Sequence, residues 1–350
     1  GELVERGLEP AVAAEQAALE QVEGVPWERI VGDWRAGAID GLERREAVQV
    51  LGSFSVPIAG RIVASLGAQS LDFVRASASR AAVQLRVRGD VSLAAVVTSL
   101  AADGVTVSAL RFASHGLQIE GRANLHATRA FKGGQIEVQD EGSQLLAELV
   151  DASGAERIVD VCAGAGGKTL ALASAAPQAK ILAMDVRARA LSELQIRANR
   201  AGALRVKAVK LPPTGNFPAQ VRGWSADRVL VDSPCSGLGT LRRHPEQRLR
   251  LTESALDELS QLQRQILARS ATLVRVGGRL VYGTCSVLGS ENEGVVEQFL
   301  AMHPDFRQVS AAEVFGPERA EAIGVGDVMR LSPHTHGTDG FFGAVLERVV

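Results

Sequence analysis

Two cysteines follow apolar runs of the sequence at points where a strand would end. The run RVLV leads into DSPCS, which carries Cys235, and the run LVYG leads into TCS, which carries Cys285. A buried cysteine is usually an inert small hydrophobe, and we expect this of the third cysteine, Cys162. A thiolate at an exposed strand end is a nucleophile or a metal ligand. Cys235 and Cys285 are therefore candidates for nucleophilic chemistry, a redox pair or metal binding.

The surroundings of the two cysteines favour thiol chemistry without a metal. Neither belongs to a CxxC motif, and none of the 6 histidines stands beside them at a ligand spacing. Zinc sites in proteins require such spacings of Cys and His. We therefore predict no metal site.

A glycine-rich segment indicates a cofactor site. The apolar run RIVDV leads into CAGAGGKT, and the next apolar run, ILAM, ends at Asp185. Glycines let the backbone approach a ligand closely, and an acid about twenty residues further on can accept hydrogen bonds from ribose hydroxyls. The segment is too short between its first glycine and Gly-Lys for a P-loop. The glycine loop and the acid together predict an adenosine-containing cofactor.

Strands alternating with helices would position these residues. From residue 136 onward the apolar pattern predicts strands at 157–161, 181–184, 229–231, 280–282 and 341–346. It predicts helices between them at 168–174, 190–201, 253–274 and 295–302. This alternation is typical of a Rossmann-like α/β domain, a parallel sheet with helices on both faces. Ligands bind beyond the carboxyl ends of the strands of such sheets, where both cysteines and the glycine loop fall.

The chain divides into three predicted domains. Residues 1–70 read as a helical segment with helices at 11–22 and 56–66, and residues 136–350 form the Rossmann-like domain. Residues 71–135 read as a small α/β module of mixed sheet type, with strands at 84–87, 105–112 and 117–119 and a helix at 92–101 capped by Ser92. The segment 61–135 holds 9 basic and 4 acidic residues although the net charge of the chain is −2. A locally basic module favours contact with a polyanion.

Composition indicates a cytoplasmic globular protein. No apolar run approaches the roughly 20 residues needed to span a bilayer, and the first residues lack the pattern of a secretory signal. The 3 cysteines are too few for a disulfide framework, which is consistent with a reducing compartment. We expect a monomer without membrane contact.

Four segments together resemble one enzyme family. VDVCAGAGGKT, VDSPCSGLGTLRRHPE, VYGTCSV and the final DGFFGAVLE are similar to motifs of the RsmB-like (Sun/Fmu-type) RNA cytosine-5 methyltransferases. The segment VQDEGSQ, which precedes the first of them, also matches. The resemblance runs from about residue 70 to the C-terminus, and the paired PC and TCS motifs are its most specific part.

The resemblance implies the roles of the site residues. Cys285 would attack carbon-6 of a cytosine, because carbon-5 is too poor a nucleophile to take a methyl group unaided and covalent attack at its neighbour activates it. Cys235 would assist removal of the carbon-5 proton before Cys285 departs. Asp232 would hydrogen-bond the cytosine edge, and Lys168 would support Asp232 and the cofactor. The cofactor would be S-adenosyl-L-methionine. The residues that the resemblance implies would hold it are Cys162, Ala163, Gly164, Ala165, Gly166, Gly167, Lys168, Asp185 and Asp232.

The resemblance also suggests the substrate. Arg242, Arg243 and His244 would contact RNA phosphates, and the target base would be turned out of the RNA into the cleft. We therefore expect an RNA methyltransferase that forms 5-methylcytosine, with ribosomal RNA as partner. The same chemistry on transfer RNA or another pyrimidine is an alternative. A non-catalytic RNA-binding paralogue is the other, because the family's adenine-contacting acid is missing near Pro213.

Overall fold

Three helices open the part of the chain that the structure describes. The computed structural model describes residues 41–213 and 215–350, so the helix predicted at 11–22 lies outside the described residues. Helices α1 (Arg44–Gly52), α2 (Val56–Leu66) and α3 (Ser70–Ser77) follow one another, with a 3-10 turn at Gly67–Gln69. The predicted helix at 56–66 is thereby confirmed, with its proline in the first turn.

The three helices pack on the segment that follows Cys235. Ile58, Ile62 and Phe73 are fully buried and share one apolar cluster with Leu238 and Leu256. Their core is therefore continuous with the segment that carries a candidate site residue. Within the described ranges no single helix is long and apolar enough to cross a membrane; Arg44–Gly52 and Val56–Ser77 pass that test only as a pair, bent by 117°.

A small four-stranded sheet follows the helices. Its strands are β1 (Gln84–Val87), β2 (Val107–Ala109), β3 (Gly116–Ile119) and β4 (Ile136–Val138), and helix α4 (Leu93–Ala102) covers one face. Ser92 caps α4 as predicted, since its side chain accepts a hydrogen bond from the Ala95 amide at 3.4 Å. A 3-10 turn (Leu125–Ala127) and a short helix, α5 (Arg129–Lys132), complete the module.

The strand order of this sheet is β2-β3-β1-β4, and every pairing is antiparallel. The expectation of a mixed sheet is wrong. A parallel pair needs a crossover connection of a dozen or more residues, and the six residues between β2 and β3 allow only a hairpin. The strand predicted at 105–112 shortens to Val107–Ala109, and β4 lies just beyond the predicted boundary at residue 135.

The remaining elements build the large α/β domain. Its first helix, α6 (Glu141–Leu149), leads into β5 (Arg157–Asp160), α7 (Gly167–Ala175), β6 (Lys180–Asp185), α8 (Ala188–Arg200), β7 (Val206–Lys210) and β8 (Ala226–Asp232). There follow a 3-10 turn (Leu238–Thr240), α9 (Gln247–Arg250), α10 (Glu253–Ala271), β9 (Val274–Thr284), α11 (Glu293–Met302) and β10 (Phe306–Val309). The chain ends with α12 (Ala311–Phe315), α13 (Pro317–Ile323), β11 (Met329–Leu331), α14 (Pro333–His336) and β12 (Phe341–Arg348).

The large sheet has the strand order β10-β12-β9-β8-β5-β6-β7, with β11 paired to β12. Strands β9, β8, β5, β6 and β7 are parallel, as expected of a Rossmann-like fold. Strand β12 runs antiparallel to β9, so the prediction of a wholly parallel sheet is corrected at this edge. Strand β12 is also antiparallel to β11, because the nine residues between them are too few for the crossover that a parallel pair requires.

One helix is shorter than predicted. Helix α10 ends at Ala271, and Val274 already begins β9, which extends to Thr284. Leu273 and Val274 are both buried and apolar, so they continue the helical pattern in sequence while already entering the sheet. The reversal of strand order between β5 and β8 creates the switch point at which such sheets bind ligands, and the candidate residues gather there.

Candidate active site

The glycine loop between β5 and α7 forms a tight left-handed turn. Gly164 and Gly166 have φ angles of +54° and +87°, values that side chains rarely adopt. A Cβ at Gly166 would also press into the side chain of Leu194, at 2.6 Å from its Cγ. The Gly164 amide donates a hydrogen bond to Asp185 Oδ2 at 2.8 Å. The predicted glycine loop and acid are therefore adjacent in space.

Asp185 lies at the end of β6 and is held ionised. Burial acts to raise the pKa of Asp185, but hydrogen bonds from Arg187 and Gly164 outweigh it, and the pKa lies below its usual value. The Arg187 amide and guanidinium donate to Asp185 Oδ1 at 2.8 and 3.1 Å. Sequence analysis missed Arg187, although a cation two residues after a strand-end acid was the available signal.

The two cysteines lie side by side. Strands β8 and β9 are parallel neighbours with Asp232 opposite Gly283, and the Ser233 amide donates to the Gly283 carbonyl at 2.8 Å. This register brings Cys235 Sγ to 3.4 Å from Cys285 Sγ. Both thiols are free and half-buried. The two strand ends therefore bring the cysteines together as expected, and the ligand cleft in front of them stays a prediction.

Lys168 and Asp232 form an ion pair near the cysteine pair. Lys168 Nζ lies 2.7 Å from Asp232 Oδ2, and the two side chains are 11% and 29% exposed. The ammonium also stands 5.1 Å from the centre of the Phe341 ring. Burial acts to lower the pKa of Lys168, but the Asp232 carboxylate and the Cys285 sulfur raise it overall. Lys168 therefore supplies a fixed positive charge between the glycine loop and the cysteine pair.

Cys162 and Asp160 lie beneath the glycine loop. Burial, aided by the charges of Asp160 and Asp232, raises the pKa of Cys162, as expected of an inert thiol. Asp160 is 1% exposed and accepts a hydrogen bond from Thr169 Oγ1 at 2.7 Å. Burial raises its pKa to about 7. Both groups are therefore structural supports of the loop, held in their neutral forms at acidic pH.

Two arginines expected to bind RNA are used inside the protein. Arg242 and Arg243 form ion pairs with Asp339, and Arg243 also bonds Asp140, at N–O distances of 3.2, 2.6 and 2.9 Å. The Arg242 side chain is only 8% exposed. Both guanidinium groups contact buried carboxylates in the protein alone, and the contact of Arg242 and Arg243 with RNA phosphates stays a prediction. His244 is 57% exposed, and its RNA contact stays a prediction.

A close backbone contact explains why the DGFF segment accompanies the cysteine motifs. The Gly239 amide donates to the Cys285 carbonyl at 2.9 Å, and the Gly340 amide donates to the Gly239 carbonyl at 2.8 Å. A Cβ at Gly239 would overlap the carbonyl of Gly340. The segment that follows Cys235 is thereby fixed between the Cys285 loop and the start of β12.

A buried polar cluster behind the cysteines was not predicted. Ser236 and Ser286, each next to a cysteine, both donate to the buried carboxylate of Glu291. The repeated Cys-Ser pair in the two motifs was the signal that sequence analysis passed over. Across residues 41–213 and 215–350, no group of His, Cys, Asp and Glu side chains has an arrangement suited to a metal ion.

Comparisons with known proteins agree with this site. The family profile described as 16S rRNA methyltransferase RsmB/F matches residues 147–347. The Ribosomal RNA small subunit methyltransferase B of Sodalis glossinidius is 34% identical over 286 residues, which cover 81% of this chain and 63% of the relative. The Probable ribosomal RNA small subunit methyltransferase B of Bacillus subtilis is 30% identical over 250 residues, 71% of this chain and 56% of the relative.

A solved structure of a methyltransferase homologue is also similar to this chain. A methyltransferase homologue from Pyrococcus horikoshii has a TM-score of 0.71 and 25% identity, over 86% of this chain and 97% of that chain. The present chain spans only 63% and 56% of the two curated relatives. The profile match covers all four strand ends of the site, β5, β6, β8 and β9, together with both cysteines. The chain belongs to the 16S rRNA methyltransferase RsmB/F family.

Proposed function

We propose that this protein is an S-adenosyl-L-methionine-dependent RNA methyltransferase that forms 5-methylcytosine through a covalent cysteine adduct. The observation that carries the proposal is the 3.4 Å approach of Cys235 Sγ and Cys285 Sγ at two adjacent strand ends. Two thiols in this arrangement suit a reaction that needs one sulfur as nucleophile and a second group to move a proton.

The cofactor site fits an adenosine-containing group. Gly164 and Gly166, the two glycines with positive φ, have no side chains, so the backbone of the loop of residues 162–168 can approach a ligand closely. Asp185 is held ionised and can accept hydrogen bonds from ribose hydroxyls. The Arg187 side chain, which pairs with Asp185, is 69% exposed and can turn away. When bound, S-adenosyl-L-methionine supplies an activated methyl group.

Cys285 acts first in the proposed reaction. Its thiolate forms a bond to carbon-6 of the cytosine, and the electron pair of the 5,6 double bond moves to carbon-5. Carbon-5 would then form a bond to the methyl carbon as the bond between that carbon and the donor sulfur breaks, and the donor sulfur would leave as a neutral thioether. Loss of the carbon-5 proton returns an electron pair to the ring, the double bond re-forms and the bond to Cys285 breaks. The reaction thus replaces one difficult step by several easier ones.

Lys168 and Asp232 prepare this attack. The Lys168 ammonium interacts favourably with a negative Cys285 sulfur, and an adjacent cation stabilises a thiolate. The same ammonium holds Asp232 at 2.7 Å and fixes the direction of a carboxylate that accepts a hydrogen bond from the cytosine edge. Charge is therefore arranged before the substrate arrives.

Cys235 serves as the second thiol. Its hydrogen bond with Cys285 is the largest cause of a pKa well above the ordinary value, followed by burial and the negative charge of Cys285. Once Cys285 is bonded to carbon-6, its sulfur is no longer an anion. Two causes of the raised pKa are then removed, so Cys235 can release its own proton to solvent late in the reaction, and the resulting thiolate accepts the carbon-5 proton. Early in the reaction Cys235 stays a thiol and does not compete as a nucleophile.

The names of the curated relatives favour ribosomal RNA of the small subunit as the substrate. The test is to incubate the protein with radiolabelled methyl donor and separated RNA classes, then digest the RNA to nucleosides. We expect label in 5-methylcytidine from ribosomal RNA and none with Cys285→Ala. Label in another nucleoside, or full activity of Cys285→Ala, would overturn the proposal.

A non-catalytic paralogue is the competing interpretation, favoured by the missing acid near Pro213. Calorimetry with S-adenosyl-L-methionine separates the two, because a pure RNA-binding protein has no need to bind the cofactor. Label confined to transfer RNA would instead support the same chemistry on another RNA class.

A further inference from the structure

The loops that carry the two cysteines are joined by one buried carboxylate. Glu291 is 0% exposed. Its Oε2 accepts hydrogen bonds from Ser236 Oγ and Ser286 Oγ, both at 2.5 Å, and its Oε1 accepts one from the Ser236 amide at 2.8 Å. Because each serine directly follows a cysteine, these bonds fix the backbone next to both sulfurs.

Two further contacts hold Glu291 itself. Gln263 of α10 donates to Glu291 Oε1 at 2.9 Å and also to the Pro234 carbonyl, next to Cys235, at 3.0 Å. The Tyr282 hydroxyl of β9 donates to the Glu291 carbonyl at 2.6 Å. Glu291 is therefore anchored to the sheet and to α10. Both cysteine loops are thereby attached to the same fixed side chain.

Within the described part of the chain, the hydrogen bonds to the Glu291 carboxylate come from neutral donors. Among the described residues, no lysine or arginine nitrogen lies within ion-pair distance of Glu291. A buried carboxylate without a cation is costly unless its oxygens are hydrogen-bonded. An apolar side chain at position 291 would avoid the cost of burying a charge, but it could not accept hydrogen bonds from both cysteine loops. We therefore attribute the carboxylate at this position to those hydrogen bonds.

We propose that Glu291 is a positioning residue that sets the Cys235–Cys285 pair by clamping the two Cys-Ser loops together. This inference rests on the proposed function, since it assigns a role in the same reaction. Glu291 touches neither sulfur, and it acts through Ser236 and Ser286. Loss of its contacts lets the loops move apart, and a displacement of this kind at a reacting centre reduces the rate of chemistry rather than substrate binding.

The charge of Glu291 supports the same role. The hydrogen bond to Cys285 and burial are the main causes of the raised pKa of Cys235, and the charges of Cys285 and Glu291 add to them, while the Gly237 backbone acts in the opposite direction. Glu291 thus helps to keep Cys235 protonated while Cys285 reacts. Its replacement by a neutral group should make Cys235 easier to ionise.

The first test compares Glu291→Gln with Glu293→Gln. Glu293 undergoes the same chemical change two residues away, but it pairs with Arg330 at 2.6 Å outside the cluster. Each full-length variant is treated with iodoacetamide over a pH range without RNA, and mass spectrometry assigns the alkylated cysteine. We expect the reactivity of Cys235 relative to Cys285 to rise roughly 10-fold in Glu291→Gln and to stay unchanged in Glu293→Gln.

Steady-state kinetics give the second readout. We expect Glu291→Gln to lower kcat about 100-fold with little change in KM for RNA. Unchanged thiol selectivity together with an unchanged kcat would overturn the proposal. So would a variant that is merely less stable to heat and keeps the kcat of the parent protein.

Smaller changes cover the case in which Glu291→Gln does not fold. Ser236→Ala and Ser286→Ala each remove one side-chain contact to Glu291, and each should lower kcat by about 10-fold at constant KM. If both serine variants retain full kcat and the parent thiol selectivity, the clamp has no role. Absence of RNA methylation in the parent protein would defeat the proposed function, whereas the alkylation pattern would still test the clamp.

Discussion

Asp160 is the residue whose protonation the fold alters in a way that stability measurements can detect. Burial raises its pKa from 3.8 to about 7, the charges of Asp232 and Asp185 add to the rise, and Thr169 and Lys168 oppose it. Between those two values the folded protein holds a proton that the unfolded chain has released. Stability therefore falls as the pH rises through this window, by up to about 1.4 kcal/mol per unit.

We predict that Asp160→Asn removes this dependence. The free energy of unfolding of the variant relative to the parent should increase by roughly 2 to 3 kcal/mol between pH 5 and pH 8, because Asn cannot ionise. Urea denaturation of both proteins at the two pH values measures it. A difference between the proteins that does not change with pH would contradict the raised pKa of Asp160.

At this scale the sequence reveals reactive groups better than their partners. Cys235 and Cys285 are predictable because a strand end followed by a cysteine is visible within a few residues, whereas the roles of Lys168 and Asp232 follow from the family resemblance. The ion pair of Arg243 with Asp339 joins residues 96 positions apart, and a local pattern carries no information about such a contact. Glu291 was not predicted, although the repeated Cys-Ser pair was the available signal.

At the scale of elements, the site depends on close packing of three segments: the loop after β8, the end of β9 and the start of β12. The loop after β8 passes between the end of β9 and the start of β12, and Gly239 is the point of contact. The parallel strands were predictable from alternating apolar runs, but the antiparallel β12 was not. The short connection after β11 explains only that β12 is antiparallel to β11.

We predict that Gly239→Ala damages the site. A methyl group there would overlap the Gly340 carbonyl and come within 2.8 Å of the Cys285 carbonyl. We expect stability to fall by about 1 to 3 kcal/mol and kcat by roughly 100-fold. Gly326→Ala is the control, since a Cβ at Gly326 meets nothing within 4 Å. Equal activity of the two variants in a methylation assay would refute this account of the contact.

At the scale of the whole molecule, the small sheet is tied to the cofactor loop. Glu137 of β4 is 5% exposed and pairs with Arg197 at 2.9 Å and with Arg200. Arg197 in turn donates to the Ala165 carbonyl of the glycine loop at 2.7 Å. A side chain of the small sheet therefore helps to fix the loop proposed to bind the cofactor.

We predict that Glu137→Gln affects both stability and cofactor binding. Two arginines lose a buried partner, so the free energy of unfolding should fall by about 2 to 4 kcal/mol. Calorimetry should show the Kd for S-adenosyl-L-methionine raised by about 10-fold. Glu120→Gln is the control, because Glu120 is exposed and its carboxylate accepts a hydrogen bond from Ser108 within the small sheet. An unchanged Kd in Glu137→Gln would mean that the small sheet does not influence the loop.

The basic character of the small module is partly used for internal contacts. Arg86 is 8% exposed, and its Nε donates a hydrogen bond to Gln139 Oε1 at 2.8 Å. Arg88 donates to the Ala201 carbonyl at 3.0 Å. Counting charges along the sequence could not separate such residues from those facing solvent. The boundaries of the three domains stay predictions.

The account as a whole depends on Cys285 bonding to a pyrimidine while Cys235 releases it. The most direct measurement is denaturing gel electrophoresis of Cys235→Ala after incubation with RNA and S-adenosyl-L-methionine, followed by mass spectrometry of the retarded band. We predict a stable protein–RNA adduct at Cys285 in Cys235→Ala and none in the Cys235→Ala/Cys285→Ala double variant. No retarded band in Cys235→Ala, or an adduct that persists in the double variant, would contradict the account.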